Sequence, residues 1–464
     1  MLRLFGVRKE FGDRTLFKNI SFSLAPGHRI ALVGANGSGK STLLRICADL
    51  TDVDAGSVRL ERGAELSYLP QNIEGEELSG GEKQKIALSV LFRKRPDIFL
   101  LDEPTNNLDE VCVRWLERLI KGSSAAFLIV SHDRHFLDCV TNQTFEIDQL
   151  SSSLTEYGGS FSEYRQAKES ALKNQWRLYC VQEQKYKQIQ KDALAIKEQA
   201  RHTEKNTQND YIRGRAKKVA AKAKAREKRL QHMMQEETRI DKPRDRQRIR
   251  IDFAHSQLSR RALLELKDVT FSFADSVVLR QLNLQLYTGQ RVVITGANGA
   301  GKSCLLNMIA GNIAPRVGSI YRSSLGRISY FQQEQESWPK QIRLIDWFTE
   351  QAQISQSETN VRTFLHRFLF SGDDVYKDVS SLSCGERTRL KLAAIMIQNP
   401  DLILFDEPTN HLDIESIESI EDALSQFNGA LLVVSHDEAF REAIEPELYW
   451  HVENQYVQVR LPKG

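Results

Sequence analysis

Two stretches of this chain fit G-x-x-x-x-G-K-[ST], the pattern of a loop that wraps phosphate: Gly34-Ala-Asn-Gly-Ser-Gly-Lys40-Ser41 and Gly296-Ala-Asn-Gly-Ala-Gly-Lys302-Ser303. Glycines let backbone N–H groups converge on phosphate oxygens, and the positive end of the helix that follows faces the same anion. Lys40 and Lys302 are placed to reach the outer phosphates, and Ser41 and Ser303 to ligate Mg2+. One match arises by chance. Two, each after an apolar strand and before a helix, predict two ATP sites. Their phosphate-facing candidates are Gly34, Asn36, Gly37, Gly39, Lys40, Ser41 and Thr42 in one loop, and Gly296, Asn298, Gly299, Gly301, Lys302, Ser303 and Cys304 in the other.

Two acidic pairs supply what hydrolysis needs. Asp102 and Asp406 end apolar runs and suit a carboxylate that holds Mg2+ through water; Glu103 and Glu407 follow and suit a base that polarises the attacking water. Both pairs stand in the context Asp-Glu-Pro-Thr-Asn, which a chance surface ion pair would not repeat. His132 and His436 end further apolar runs and are candidate donors to the γ-phosphate. Their Ser-His-Asp setting is no nucleophilic triad, because adjacent residues cannot form that relay.

The motifs recur in one order and nearly one register. Gly34 to Gly296 and Gln71 to Gln333 are both offsets of 262, whereas Leu78 to Leu382, Asp102 to Asp406 and His132 to His436 are offsets of 304. The second half therefore holds 42 more residues between its glutamine and Leu382. That stretch contains helix-like runs at Ile342–Gln351 and Asn360–Phe370, where the first half has only Asn72–Glu77. Apolar runs such as Ile98–Asp102, Phe127–Ser131, Leu402–Asp406 and Leu431–Ser435 read as strands buried on both faces. Alternating with helices, they predict an α/β parallel sheet in each half.

The connector is of another kind. From Phe161 to Ile240 there is no proline, and Gly214 is the sole glycine, which predicts long helices. Leu172, Tyr179, Tyr186 and Ala193 recur every seven residues, as do Ala216, Ala223 and Leu230, a heptad-type seam. The polar run His202–Asp210 reads as the reversal of an antiparallel hairpin. Arms near 40 residues would make it on the order of 50–60 Å long. Residues 161–250 carry 25 Lys/Arg against 12 Asp/Glu in a chain whose net charge is +3, and Tyr211–Leu230 has nine Lys/Arg and one Glu. A plain spacer does not need that asymmetry; a nucleic-acid partner does.

Composition bounds the rest. The 464 residues suit two or three domains. No apolar run reaches membrane-span length, and Met1-Leu-Arg-Leu-Phe does not read as a signal peptide. The six scattered cysteines form no CxxC pair and read as free thiols in a reducing cytoplasm.

Together these residues resemble the ATP-binding cassette proteins. Leu78-Ser79-Gly80-Gly81-Glu82 matches that superfamily's signature, and Leu382-Ser383-Cys384-Gly385-Glu386 is a variant. Two cassettes, a charged helical linker and Asp-Glu-Pro-Thr-Asn-(Asn/His)-Leu-Asp resemble the F subfamily in particular. The resemblance implies an α/β fold with two P-loop NTPase domains joined by a long α-helical hairpin. The first cassette would span 1–150, nearly without a helical subdomain. The linker would span 151–262, with its tip about 202–212. The second cassette would span 263–464, with a full helical subdomain about 334–381.

It also implies a head-to-tail sandwich, with ATP between the loop at 34–42 and the signature at 382–386, and again between 296–304 and 78–82. In it Phe11 and Phe273 would meet adenine, Gln71 and Gln333 would sense Mg2+, and Asp109 and Asp413 would lie in the loop that crosses the interface. Family members are cytoplasmic ATPases that bind the ribosome and set the hairpin in the tRNA exit site near the peptidyl tRNA. The expected partners are therefore ribosomal RNA and peptidyl tRNA, with no membrane and a monomeric chain.

Three departures separate this chain from the pattern. Cys384 replaces a signature glycine, Cys304 replaces the threonine seen at Thr42, and the first cassette leaves no room for the arm by which some members reach the ribosomal stalk region. The last departure resembles the antibiotic-resistance branch. The expected role is ribosome protection against an antibiotic, with rescue of stalled ribosomes as the alternative. A transporter ATPase subunit stands further off, since it has no place for the hairpin. A chromosome or DNA-repair ATPase would carry its coiled coil inside one cassette.

Overall fold

The computed structural model describes residues 1–12, 14–71, 73, 80–149, 151–205, 218, 221, 224–225, 261–273, 276–323, 326–332, 338–352, 357–370, 372–410 and 412–462. Met1–Phe161 and Gln247–Gly464 make one compact unit, and Ser162–Arg246 another.

In the first half, β1 (Leu2–Phe11), β2 (Arg14–Leu24) and β4 (Ala55–Leu60) form an antiparallel sheet in the order β2-β1-β4. A six-stranded sheet takes β3 (Arg29–Val33), β5 (Leu66–Leu69), β6 (Ile98–Asp102), β7 (Ala126–Val130), β8 (Gln143–Asp148) and β9 (Ser153–Gly158) in the order β5-β6-β7-β3-β8-β9. Its strands are parallel except for the β8–β9 pair. Every residue of β6 and β7 is buried, as their unbroken apolar runs require. The helices are α1 (Lys40–Cys47), α2 (Gly80–Lys94), α3 (Glu110–Lys121) and α4 (Arg134–Val140).

The linker unit holds most of α5 (Phe161–Lys205), which at 45 residues is about 67 Å long. Of the expected seam positions, Tyr186 is buried and Leu172, Tyr179 and Ile189 are half-buried, whereas the side chain of Ala193 lies outside the described ones; Trp176 is half-buried too. The predicted reversal and second arm lie outside the described residues, apart from single helical residues such as Lys218 and Lys224.

The second half repeats the plan. Strands β10 (Ala262–Phe273), β11 (Ser276–Tyr287) and β13 (Val317–Arg322) form the small sheet. β12 (Arg291–Gly296), β14 (Ile328–Gln332), β15 (Leu402–Asp406), β16 (Ala430–Val434), β17 (Leu448–Glu453) and β18 (Tyr456–Arg460) form the large one, ordered β14-β15-β16-β12-β17-β18. Its helices are α6 (Lys302–Ala310), α7 (Leu344–Ala352), α8 (Glu358–Arg367), α9 (Cys384–Met396), α10 (Ile414–Ser425) and α11 (Glu438–Ala443).

The extra residues of this half form their own helical layer. The expected runs fold as α7 and α8, with two 3-10 turns, Gly372–Tyr376 and Val379–Ser381, leading to α9. Phe348, Leu365, Phe368 and Leu390 are buried in one core with Ile403 and Phe405 of the sheet. The α8 run ends at Arg367 rather than Phe370 because Leu369 turns into the left-handed region, at φ 70°.

Candidate functional site

Both glycine-rich loops leave the middle of a parallel sheet, where β3 and β12 end, and enter α1 and α6. Gly39 and Gly301 cap these helices in the left-handed region, at φ 98° and 100°. A side chain at Gly39 would also strike the ring of Phe17 at 2.7 Å. Lys40 Nζ donates to the carbonyl oxygens of Gly34 and Ala35 at 2.7 and 3.1 Å, and Lys302 Nζ to those of Gly296 and Ala297 at 2.9 and 3.0 Å. Each ammonium therefore sits inside the loop that it would share with phosphate. Gly37 and Gly299 hold the left-handed turn of each loop.

The acidic pairs lie across from the loops, at the ends of β6 and β15. Asp102 is buried, its carboxyl raised above the usual range by burial, with hydrogen bonds to Ser41 and Tyr68 opposing the shift. Its Oδ1 meets no hydrogen-bond donor among the described residues. Asp406 repeats this with Ser303 and Tyr330, whose hydroxyl donates to Oδ2 at 3.2 Å. A serine hydroxyl beside a buried carboxylate is an oxygen donor set that fits Mg2+. The residues that would hold the ion are Ser41, Asp102 and Gln71 in one site, and Ser303 and Asp406 in the other. Gln71 is exposed after β5; Gln333 lies outside the described residues. Tyr68 and Tyr330 were missed by the motif reading, although they keep the offset of 262.

Glu103 and Glu407 adopt φ 50° and 47°, a strained region for a side-chain-bearing residue. The fold enforces this: Glu103 N donates to Val130 O and Glu407 N to Val434 O, both at 2.9 Å. Gln84 of α2, buried, donates to the Glu103 carbonyl at 3.2 Å. Burial pushes the Glu103 carboxyl up to about 8 and that of Glu407 up to about 7, against the pull of Lys40 and Lys302. The ring Nε2 of His132 stands 3.2 Å from Glu103, and that of His436 stands 3.3 Å from Glu407. Burial, with Lys302 and Arg441, lowers His436 to about 4, so its ring is neutral at pH 7. The Nε2–H tautomer can donate to Asn298 Oδ1, 3.1 Å away.

These values set a pH dependence. A base works only when ionised, so kcat/KM for ATP should fall as pH drops through about 8 and about 7, the ranges of Glu103 and Glu407. An acid limb confined below pH 6 would exclude these carboxylates as the bases.

The two halves complete one another's loops. Asp413 caps α10 by accepting from Ser416 N at 2.9 Å, and its Oδ2 accepts from Asn36 N of the first loop, also at 2.9 Å. Reciprocally, Asn298 Nδ2 of the second loop donates to Asn107 O at 2.8 Å, two residues before Asp109, which caps α3. The signature glycines sit at these crossings. A Cβ on Gly81 would lie 2.4 Å from Asn107 O and 3.2 Å from Asn298 Nδ2, and one on Gly385 would lie 2.0 Å from Ser416 Oγ. Gly80 opens α2, and Ser383 closes a capping box with Glu386 at the start of α9. Ser79 is outside the described residues, as is the side chain of Cys384, although its backbone begins α9.

Phe11 and Phe273 are 53% and 59% exposed, so core packing does not account for them. Each is an accessible ring at a strand end, with Lys9 Nζ 5.3 Å from the Phe11 centroid. Thr42 and Cys304 occupy matching turns of α1 and α6; burial and Asp406 raise the Cys304 thiol. Buried charges also join the halves. Arg134 pairs with Glu421 and approaches Glu418 and Asp437, each at 3.9 Å, and Arg441 reaches Glu110 at 3.5 Å.

The family model described as ABC transporter matches residues 17–76, 66–106 and 279–410. Over 472 residues the chain is 31% identical to "Ribosome protection protein VmlR" of Bacillus subtilis (strain 168), covering 95% of this chain and 85% of that protein. It is 30% identical over 527 residues to "Putative ATP-binding protein YdiF" of the same strain (95% and 78%). It is 30% identical over 519 residues to "Probable ATP-binding protein YbiT" of Escherichia coli O157:H7 (95% and 94%). Among solved structures, the complex of archaeal ribosomal stalk protein aP1 and archaeal ribosome recycling factor aABCE1 matches with TM-score 0.63 at 17% identity, covering 98% of this chain and 89% of that one. At that identity the likeness concerns the fold.

Proposed function

The chain belongs to the F subfamily of ATP-binding cassette proteins, and from that premise we propose that it is a ribosome-binding ATPase acting in translation. It is an ATP hydrolase of the ABC type. The observation that carries the ribosome reading is the likeness to a ribosome protection protein along 95% of this chain.

In this reading the loops at 34–42 and 296–304 bind the phosphates of two ATP molecules, with Lys40 and Lys302 neutralising charge. Phe11 and Phe273 stack on adenine. Bound Mg2+ would add positive charge against the phosphate oxygens. Glu103 and Glu407 align water on the γ-phosphorus and take its proton. The new bond forms between water oxygen and phosphorus, the bond to the bridging oxygen breaks, and ADP and phosphate leave. His132 and His436, held against these carboxylates, donate to the γ-phosphate.

The hairpin would enter the tRNA exit site of a cytoplasmic ribosome and meet ribosomal RNA and peptidyl tRNA, with hydrolysis releasing a monomeric protein. The missing arm of the first cassette favours antibiotic resistance by ribosome protection over a housekeeping role on stalled ribosomes. Co-sedimentation tests the binding. With a non-hydrolysable ATP analogue the chain should pellet with ribosomes, and less so as salt rises, since phosphate contacts release counterions. A chain that stays in the supernatant refutes the proposal. In a susceptible host, inhibitory concentrations of macrolides, lincosamides, streptogramins or pleuromutilins should rise; no change across that panel sinks the resistance role.

A further inference from the structure

Away from the nucleotide loops, four ligand-type side chains meet where the two halves touch. His135 and Cys139 lie four residues apart on α4 and so share one face. Glu117 comes from α3 and Glu438 from α11 of the second half. The ligand atoms of Glu117, His135 and Cys139 all lie within 4.8 Å of one another. All three others approach the His135 ring: Nδ1 is 3.9 Å from Glu117 Oε1 and 3.7 Å from Glu438 Oε2, and Cys139 Sγ lies 4.0 Å from Nδ1 and 3.9 Å from Nε2. We propose that Glu117, His135, Cys139 and Glu438 form a zinc-type metal site that ties α4 of the first half to α11 of the second.

The chemistry selects the ion. One imidazole, one thiolate and two carboxylates suit a borderline cation such as Zn2+; Mg2+ and Ca2+ prefer oxygen throughout. Tetrahedral zinc, with bonds of about 2.0–2.3 Å, needs ligand atoms roughly 3.3–3.8 Å apart. Glu117, His135 and Cys139, already within 4.8 Å of one another, need only draw together, whereas Glu438, which meets His135, has to turn towards the other two. Local charge also favours a cation. Asp133 and Asp138 face the Cys139 thiol as well as Glu117, and Lys121 opposes them. The guanidinium of Arg134 is turned to Glu421, Glu418 and Asp437. Binding the sulfur as thiolate releases the Cys139 proton. The nucleotide chemistry uses none of these four residues. The histidine and the cysteine follow no repeat: the second half has Ala439 and Ala443 at the positions of His135 and Cys139, although Glu421 matches Glu117.

Titration of the full chain with Zn2+ alone, against a chromophoric chelator, tests the site. The wild type should take up one Zn2+ that His135→Ala and Cys139→Ser do not. With Co2+ in its place, the wild type should show thiolate-to-metal absorption that Cys139→Ser lacks. Losing a ligand should cost at least the roughly 10–100-fold in affinity that loss of an outer-shell partner costs, so Glu438→Gln should bind at least about tenfold more weakly. Equal uptake and equal cobalt spectra in wild type and Cys139→Ser would overturn the site. Full affinity in Glu438→Gln would overturn the tie between the halves.

Discussion

Replacing Glu103 and Glu407 together with glutamine is expected to lower ATP turnover by about 10²–10⁴-fold, the contribution of a positioned base, while ATP still binds. The two amides keep the shape of the carboxylates but accept no proton from water. Lys40 and Lys302, which enter the loops independently of these residues, are untouched. The variant should therefore stay closed on ATP and, in the proposed function, remain in the ribosome pellet when the wild type has been released. Unfolding will not mimic this result. Both carboxyls titrate well above the ordinary carboxylate range in the folded chain. Their ionisation therefore opposes folding, a cost absent below the unfolded-state value and fully present once pH has risen through about 7 and about 8. Removing that charge should leave the chain at least as stable at pH 8. A double variant with wild-type turnover would remove both residues from the chemistry. One that binds ATP but leaves the pellet at the wild-type rate would separate hydrolysis from release.

The second large effect is expected at Gly81. The site built on Lys302 and Glu407 can be isolated in a Glu103→Gln background. There, Gly81→Ala should slow hydrolysis on the order of 100-fold, the cost of an ångström of misplacement at a reacting centre. The added methyl would lie 2.4 Å from a backbone oxygen, Asn107 O, the same atom that accepts from Asn298 of the opposite loop. Backbone cannot rotate away, so the signature helix and the crossing contact cannot both keep their places. Gly385→Ala offers the contrast. Its methyl meets a hydroxyl, Ser416 Oγ, at 2.0 Å, with Ser416 Cβ next at 3.1 Å. That hydroxyl can be removed, so Ser416→Ala should restore part of the loss at the other site. Equal rates for Gly81→Ala and its parent would show that the crossing at Asn107 does not govern closure.

Much of this site was legible because each motif is set by backbone needs within a few residues. A phosphate loop needs glycine where φ turns positive, as at Gly39 and Gly301. A buried parallel strand needs an unbroken apolar run, as at Ile98–Asp102. The doubled motifs then fixed the order of both cassettes, and the 42-residue gap located the helical layer that folds as α7 and α8. The tyrosines at 68 and 330 were equally available from the offset, but a lone tyrosine on a strand carries no chemistry until an aspartate is seen beside it.

What the sequence determined by itself was which residues handle nucleotide and that they occur twice. Tertiary structure decided what each copy faces. Asn36 and Asp413 are 377 residues apart, Asn107 and Asn298 are 191 apart, and Arg134 and Glu421 are 287 apart. No local periodicity links such pairs, since they meet only when two separately folded cores bury their surfaces against each other. The same holds for the left-handed backbone at Glu103 and Glu407, imposed by carbonyls on neighbouring strands. It holds too for the cluster of Glu117, His135, Cys139 and Glu438, which three helices from two halves bring together.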